Sequence, residues 1–326
     1  MQVVLDTRGM QMSVRNGCFL FASEAESHIV HPERINSILI TSPCRISSSA
    51  LILASTTQIP VIICDNCGTP LVRTWSPLMI NTSKLRRGQY RFSLTNESAE
   101  WANIIMRLKI EGQKSNLTFM ANRKPIIEKK VIKAINAIDN NLARAVKKND
   151  RPLAEQKKQI LFNEAFAASQ YWQLIGLALP IAFQFSNRIK RNPSDAFNAC
   201  INYLYGMLRN QVETAVLSIG LDPALGIIHR DGYKMPSLVF DMMEPFRPII
   251  DRLLINSILC GEMRISIIQE NEGKILITKE GRKQLITMFV KKLNSNCIYR
   301  GIRTSLNNHI LSEAKLLATK IKGSEL

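Results

Sequence analysis

The sequence predicts an α+β fold: a small β-domain, sandwich-like and carrying one helix, over residues 1–88, followed by a larger all-α domain over 89–326. Three observations predict it. Short apolar runs separated by turn residues fill the chain from Gln2 to Pro77, and beyond Gly88 a helical apolar period takes over. A composition of 46% hydrophobic and 21% charged residues, with mean hydropathy of −0.02, is that of a chain able to bury a core of its own.

The strands come first. VVL, MSV ending at Asn16-Gly17, CFLF, HIV, INSILIT, PVIIC and VRTW are bounded by turn residues and rich in β-branched and aromatic side chains. Between two of them, Ser47 to Gln58 opens on a serine cluster suited to capping and continues with small and aliphatic residues at helical spacing, predicting one helix. Past Gly88, Asn96 is placed to cap a helix in which Trp101, Ile104, Ile105 and Leu108 fall at i, i+3, i+4 and i+7. Ile127, Val131, Ile135, Ile138 and Leu142 repeat the period, with Lys129, Lys130, Lys133 and Lys147 on or near the exposed side. Helices are expected through to the C-terminus, where the short polar end after Leu317, with Lys320 and Lys322, suits either a flexible tail or a partner contact.

Charge narrows the partner. The formal net charge is +17 and the pI about 9.8, and a surface this basic attracts polyanions and releases their counterions on binding. Residues 1–88 hold 8 Lys/Arg against 5 Asp/Glu, leaving 35 against 21 for the rest, so the second domain is expected to carry a nucleic-acid surface. Seven cysteines at 18, 44, 64, 67, 200, 260 and 297 have no regular spacing and match reduced thiols rather than a disulfide framework. Cys64 and Cys67 have zinc-knuckle spacing but lack a second close pair. The N-terminus has no basic start followed by an apolar run, and the most apolar stretch, Leu174 to Phe185, is interrupted by Pro180, so a cytoplasmic protein with no membrane segment is expected. No Gly-rich phosphate loop or GxSxG elbow is present.

Three stretches depart from what packing alone asks for. In Phe162–Trp172, Glu164 heads a run of small residues with alanines at 165, 167 and 168, where another backbone or a ligand can come close; a surface glutamate fits the same pattern. In Gly220–His229, a turn-rich segment delivers His229 among apolar neighbours, as a ligand or as a structural histidine. In Ser237–Asp251, Asp241 and Glu244 stand three apart, able to share one helical face or to decorate a helix start at Pro245. Two carboxylates and one imidazole form an open site suited to Mg²⁺ or Mn²⁺ rather than to structural zinc.

Taken together, these stretches resemble the signature blocks of the CRISPR-associated integrase family called Cas-one. The resemblance runs from ISSSALILASTTQIPVIICDNCGTPL through NEAFAASQYW, RIKRNPSDAFNACINYLYGML and GLDPALGIIH to SLVFDMMEPFRPIID, so it covers most of the chain. It implies an N-terminal β-domain on a helical domain, a homodimer, and assembly with a small partner, Cas-two. Glu164, His229 and Glu244 match the family's metal-binding and catalytic positions, with Asp241 as a supporting acid. Asn163 stands where many members have glycine, and Glu244 where some branches have Asp, so Asp241 and Glu244 both stand as candidates for the closer metal contact.

The activity so implied is attack of a DNA 3′-hydroxyl on a phosphodiester, inserting a captured double-stranded fragment into a CRISPR repeat, with water attack giving nuclease activity. Arg188, Lys190 and Arg191 are expected to hold DNA phosphates, whereas Arg247 is expected to pair with a carboxylate of its own helix. The alternatives are a basic scaffold that positions nucleic acid without chemistry, and a transposon-borne integrase of the same superfamily.

Overall fold

The computed structural model describes residues 1–65, 70–74, 83–146, 152–229, 232–233, 235–271 and 274–323. The N-terminal region contains β1 (Gln2–Leu5), β2 (Gln11–Arg15), β3 (Cys18–Ala22), β4 (Ser27–Val30), β5 (Ser37–Ile40), β6 (Arg45–Ile46), α1 (Ser48–Thr56), β7 (Val61–Cys64) and β8 (Pro70–Arg73). Asn16 and Gly17 take φ of 51° and 72°, the positive pair that a two-residue hairpin between β2 and β3 requires. Ser47 caps α1 by accepting a hydrogen bond from the Ala50 amide.

Two four-stranded sheets result, ordered β1-β5-β7-β8 and β4-β3-β2-β6. In the first, β1, β5 and β7 run parallel and β8 antiparallel; in the second, β6 pairs parallel with β2 and the others are antiparallel. One apolar cluster joins Leu5, Ile38, Ile40 and Val61 of the first sheet to Met12, Phe19 and Phe21 of the second and Ala50 and Ala54 of α1. All four residues of β5 are buried, as expected of a parallel strand with neighbours on both sides. The two-residue β6 is too short to show any alternation, and no sequence pattern marks it.

The helical region comprises α2 (Ser83–Ser93), α3 (Asn96–Arg123), α4 (Glu128–Val146), α5 (Leu153–Ala178), α6 (Ala196–Ile219), α7 (Ser237–Met243) and α8 (Arg247–Leu259). After them come β9 (Ile268–Asn271), β10 (Lys274–Ile277), α9 (Lys279–Asn294), β11 (Asn296–Tyr299), β12 (Ile302–Ser305) and α10 (Leu306–Gly323). The expected division at 88/89 lies within α2, and Thr95 rather than Asn96 holds the N-cap position of α3. The region is also not purely helical: β9–β10 and β11–β12 are antiparallel hairpins. The second turns on Arg300 and Gly301 at φ 50° and 75°, the same positive pair as Asn16-Gly17, and its flanks NCIY and IRTS are short enough to be absorbed into a helical reading. The polar C-terminal end continues α10 to Gly323, with Ile321 buried one turn after Leu317.

Helix α6 runs through the main core, with Phe197, Cys200, Ile201, Leu204 and Leu208 fully buried. It also meets the N-terminal region. Arg73 of β8 donates to Thr214 Oγ1 (3.2 Å) and lies 3.6 Å from Glu213, while Asn210 Nδ2 donates to Cys64 Sγ (3.3 Å). Burial pushes the Cys64 thiol up to about 11, so it remains protonated; Cys67 lies outside the described residues. No described helix is long and apolar enough to cross a membrane.

Two features set the spacing of α3, α5, α6 and α8. A Cβ at Gly112 of α3 would lie 2.8 Å from Pro248 Cβ, so only glycine lets α3 come this close to the start of α8. Nearby, the buried Asp251 carboxylate accepts from Tyr171 OH of α5 (3.1 Å) and Tyr205 OH of α6 (2.5 Å), and Asn116 of α3 donates to the Tyr171 oxygen (2.9 Å). Burial raises the Asp251 carboxyl to about 6, against the hydrogen bonds and arginines that would lower it.

Two outcomes follow. Gly112→Leu should lose about 1–3 kcal/mol in urea unfolding, the cost of overpacking a close helix crossing. Asp251 has a folded pKa above the unfolded one, so its contribution to stability is full below about pH 4 and is lost as pH rises through about 6. Unfolding midpoints of Asp251→Asn between pH 4 and 7 should lack that decline, whatever the variant's absolute stability.

Candidate active site

Three segments converge beside this network. Glu164 sits in the middle of α5 rather than at its head, where Ala167 packs against Ile110 of α3 and Ile138 of α4 and keeps the helices close. His229 lies in the connection between α6 and α7, which begins at Gly220, whose φ of 89° closes α6 with a left-handed cap. Asp241 lies in α7, and Glu244 opens a single 3₁₀ turn, Glu244–Phe246, that leads into α8.

The convergence is on a lysine that no sequence motif singles out. Lys109 of α3 places Nζ 2.5 Å from Glu164 Oε1 and 2.5 Å from Glu244 Oε2, and Arg247 Nε donates to Glu244 Oε1 at 3.0 Å, the pairing expected for that arginine. Glu244 is 4% exposed, and burial alone would raise its pKa; Arg247 and then Lys109 instead hold it down to about 2. Burial likewise opposes the charge on Lys109, but Glu244 and then Glu164 outweigh it and raise its pKa. A signal for Lys109 is present in the sequence: it continues the line Trp101, Ile105 at i+4, on the face that is buried.

Asp241 has a different place. It is fully buried and accepts from the backbone amides of Ile227 (2.6 Å), Ile228 (2.9 Å) and His229 (3.0 Å), and its Oδ1 lies 2.5 Å from His229 Nδ1. A carboxylate accepting from three amides requires Nδ1 to carry its proton, which leaves the lone pair on Nε2. Burial, the largest single influence, lowers the His229 pKa, but the Asp241 hydrogen bond and the negative charges of Asp241 and Glu244 together outweigh it and the net shift is upward. Glu244 is close enough to His229 to add to that shift.

Among the described residues, no three His, Cys, Asp or Glu side chains are already gathered as a metal cluster. The donors nevertheless suit a hard divalent ion. Two carboxylates from different helices face one positive charge, the imidazole is oriented by a carboxylate behind it, and Glu244 Oε2 is buried without a hydrogen bond of acceptable geometry despite its short ion pair.

The three cations expected to hold phosphate differ. Arg188 is half-buried and donates to Ile189 O (2.6 Å), Asn198 Oδ1 (2.7 Å) and Asn202 Oδ1 (2.6 Å), so its guanidinium is engaged within the fold. Asn198 also binds the Ile189 amide and the Asn187 carbonyl, tying this segment to the start of α6, which Asp195 caps. Lys190 and Arg191, on that tethered segment, are both exposed.

The chain and its fold have counterparts among known proteins. The family model described as CRISPR associated protein Cas1 matches residues 3–291. The CRISPR-associated endonuclease Cas1 1 of Archaeoglobus fulgidus is 27% identical, with 99% of this chain and 97% of that one covered. The CRISPR-associated endonuclease Cas1 of Korarchaeum cryptofilum is also 27% identical, over 77% of this chain and 76% of its own. Among solved structures, a casposase bound to integration product has a TM-score of 0.82 at 24% identity, covering 99% of this chain and 91% of that one. A Cas1 protein from Thermotoga maritima has a TM-score of 0.78 at 17% identity, covering 99% and 97%, and a chain of a Cas6-RT-Cas1–Cas2 complex has a TM-score of 0.78 at 18% identity, covering 99% and 35%. With a family model matched over nearly its whole length and curated relatives alongside, the chain belongs to the CRISPR-associated Cas1 family, the Cas-one family that its signature blocks resemble.

Proposed function

We propose that this chain is a divalent-metal-dependent DNA integrase of CRISPR adaptation, with Glu164, His229 and Glu244 as the ligands of Mg²⁺ or Mn²⁺. The observation that carries the reading is that Glu164 and Glu244, on different helical segments far apart in sequence, reach the same cation, with an oriented His229 beside them. Asp241, closed in by three amides and the imidazole, is the residue that positions His229, and Glu244 is the acidic ligand from this segment.

In the reaction a DNA 3′-hydroxyl attacks a target phosphorus; one phosphodiester forms, one breaks, and the displaced 3′-oxygen leaves with a proton. A bound ion supplies a lowered pKa for the attacking oxygen and neutralises charge developing on the phosphate. Arg247 keeps Glu244 ionised, and Asp241 keeps the His229 lone pair on Nε2. Lys190 and Arg191 hold the DNA backbone, while Arg188 holds the segment that carries them. The name of the Cas6-RT-Cas1–Cas2 complex supports assembly of this chain with a Cas2 partner, and a homodimer joined to a small partner is the assembly that the family resemblance implies.

Strand transfer of a labelled duplex with free 3′-hydroxyls into supercoiled plasmid, with the small partner added, tests the reading. Joining should need Mn²⁺ or Mg²⁺, vanish with EDTA, and fall at least about a hundredfold in His229→Ala while DNA binding persists, the scale seen when an electrostatic catalytic contribution is removed. Joining that is indifferent to chelator and to His229 would leave a binding scaffold. Lys190→Ala with Arg191→Ala should weaken binding of all sequences alike and reduce the slope of log K against log salt by about 2, one for each phosphate no longer neutralised. An unchanged slope would remove these two residues from the DNA surface.

A further inference from the structure

Lys109 has no part in the mechanism above, yet its ammonium sits between the two carboxylates proposed as metal ligands. We propose that Lys109 is a placeholder cation: its ammonium holds Glu164 and Glu244 together until a divalent ion displaces it, and it thereby weakens the site's affinity for metal. The proposal rests on the reading of Glu164 and Glu244 as metal ligands.

The geometry gives the competition directly. Nζ lies 2.5 Å from an oxygen of each glutamate, and a divalent ion bound to the same two oxygens at about 2.0–2.6 Å leaves no room for the ammonium. The ammonium satisfies the carboxylates as a single charge where the ion brings two, so exchange is favourable to the carboxylates but costs the lysine both of its ion pairs. Two further features make exchange feasible without moving a helix. The lysine stem is a flexible four-carbon chain, and Glu164, with its side chain 19% exposed, opens the site toward solvent on one side. Glu244, by contrast, keeps Arg247 on its other oxygen, so it does not lose its last counter-charge when Lys109 departs. A residue that merely supported the site would strengthen metal binding; a placeholder weakens it, and the two roles predict opposite signs.

Isothermal titration of the metal-free full-length chain with Mn²⁺, for wild type, Lys109→Met and Lys109→Gln, reads the sign. The lysine variants should bind Mn²⁺ about ten- to hundredfold more tightly than wild type, the scale of one or two charged hydrogen bonds. Without metal they should melt at lower temperature than wild type, since two carboxylates then face each other with Lys109 gone, and Mn²⁺ should raise their Tm by more than it raises that of wild type. Equal or weaker Mn²⁺ binding in both variants would overturn the placeholder role while leaving the metal site in place. Absence of saturable Mn²⁺ binding in wild type and in both variants would overturn the ligand reading and the placeholder with it.

Discussion

A glutamate that is 4% exposed and ionised, Glu244, is the constraint around which the helical region of this molecule is built. An unpaired charge in such a place costs several kcal/mol, so positive groups must be brought to it and held there. Arg247 comes from the next turn of the same segment, and Lys109 comes from a helix far earlier in the chain. The second is the demanding one. It requires α3 to lie against the start of α8, which Gly112 permits by offering no side chain to Pro248. It also requires α5 to lie against α3 so that Glu164 shares the same ammonium, which the small Ala167 permits. Packing and electrostatics therefore specify one arrangement of three helices.

The polar groups form two tiers that meet at Arg247. Above it lie Glu244, Lys109 and Glu164; beside it the ring of Tyr205 sits with its centroid 4.6 Å from the guanidinium, and Tyr205 in turn donates to Asp251. Tyr171 and Asn116 extend the lower tier across α5 and α3. Buried polar networks of this kind are costly when half satisfied and specifying when complete, so the lower tier fixes the helices on which the upper tier depends. His229 is held separately, by Asp241 behind the ring in the connection between α6 and α7, and it is the most exposed of the proposed ligands, with 34% of its side-chain surface open.

Much of this is legible in the sequence, and the parts that are not share a cause. Asn16-Gly17, the Ser47 cap and the run SILI each state their structure locally, so the strands and helix of the N-terminal region follow from patterns a few residues long. Glu164, His229 and Glu244 stand out because each is a polar group in surroundings that packing would make apolar. Lys109 does not, because a lysine is ordinarily solvated: its position four residues after Ile105 places it on the buried face of α3, but only the partners from α5 and the turn before α8 show what its charge meets there. Arg188 shows the reverse: its cationic neighbours mark it as a phosphate contact, but Asn198 and Asn202, 10 and 14 residues later, draw it into the fold. The Arg300-Gly301 hairpin escapes sequence reading because its flanks have four residues each, too short to show their alternation against helices on both sides.

The central claim is that Glu164, His229 and Glu244 together hold the ion that drives strand joining. Anomalous diffraction from crystals of the chain grown with Mn²⁺ tests it most directly. The account predicts a manganese peak bounded by carboxylate oxygens of Glu164 and Glu244 and by Nε2 of His229, with Asp241 still behind the imidazole. Manganese bound elsewhere, or bound through Asp241 with Glu244 left on its arginine and lysine, would contradict it.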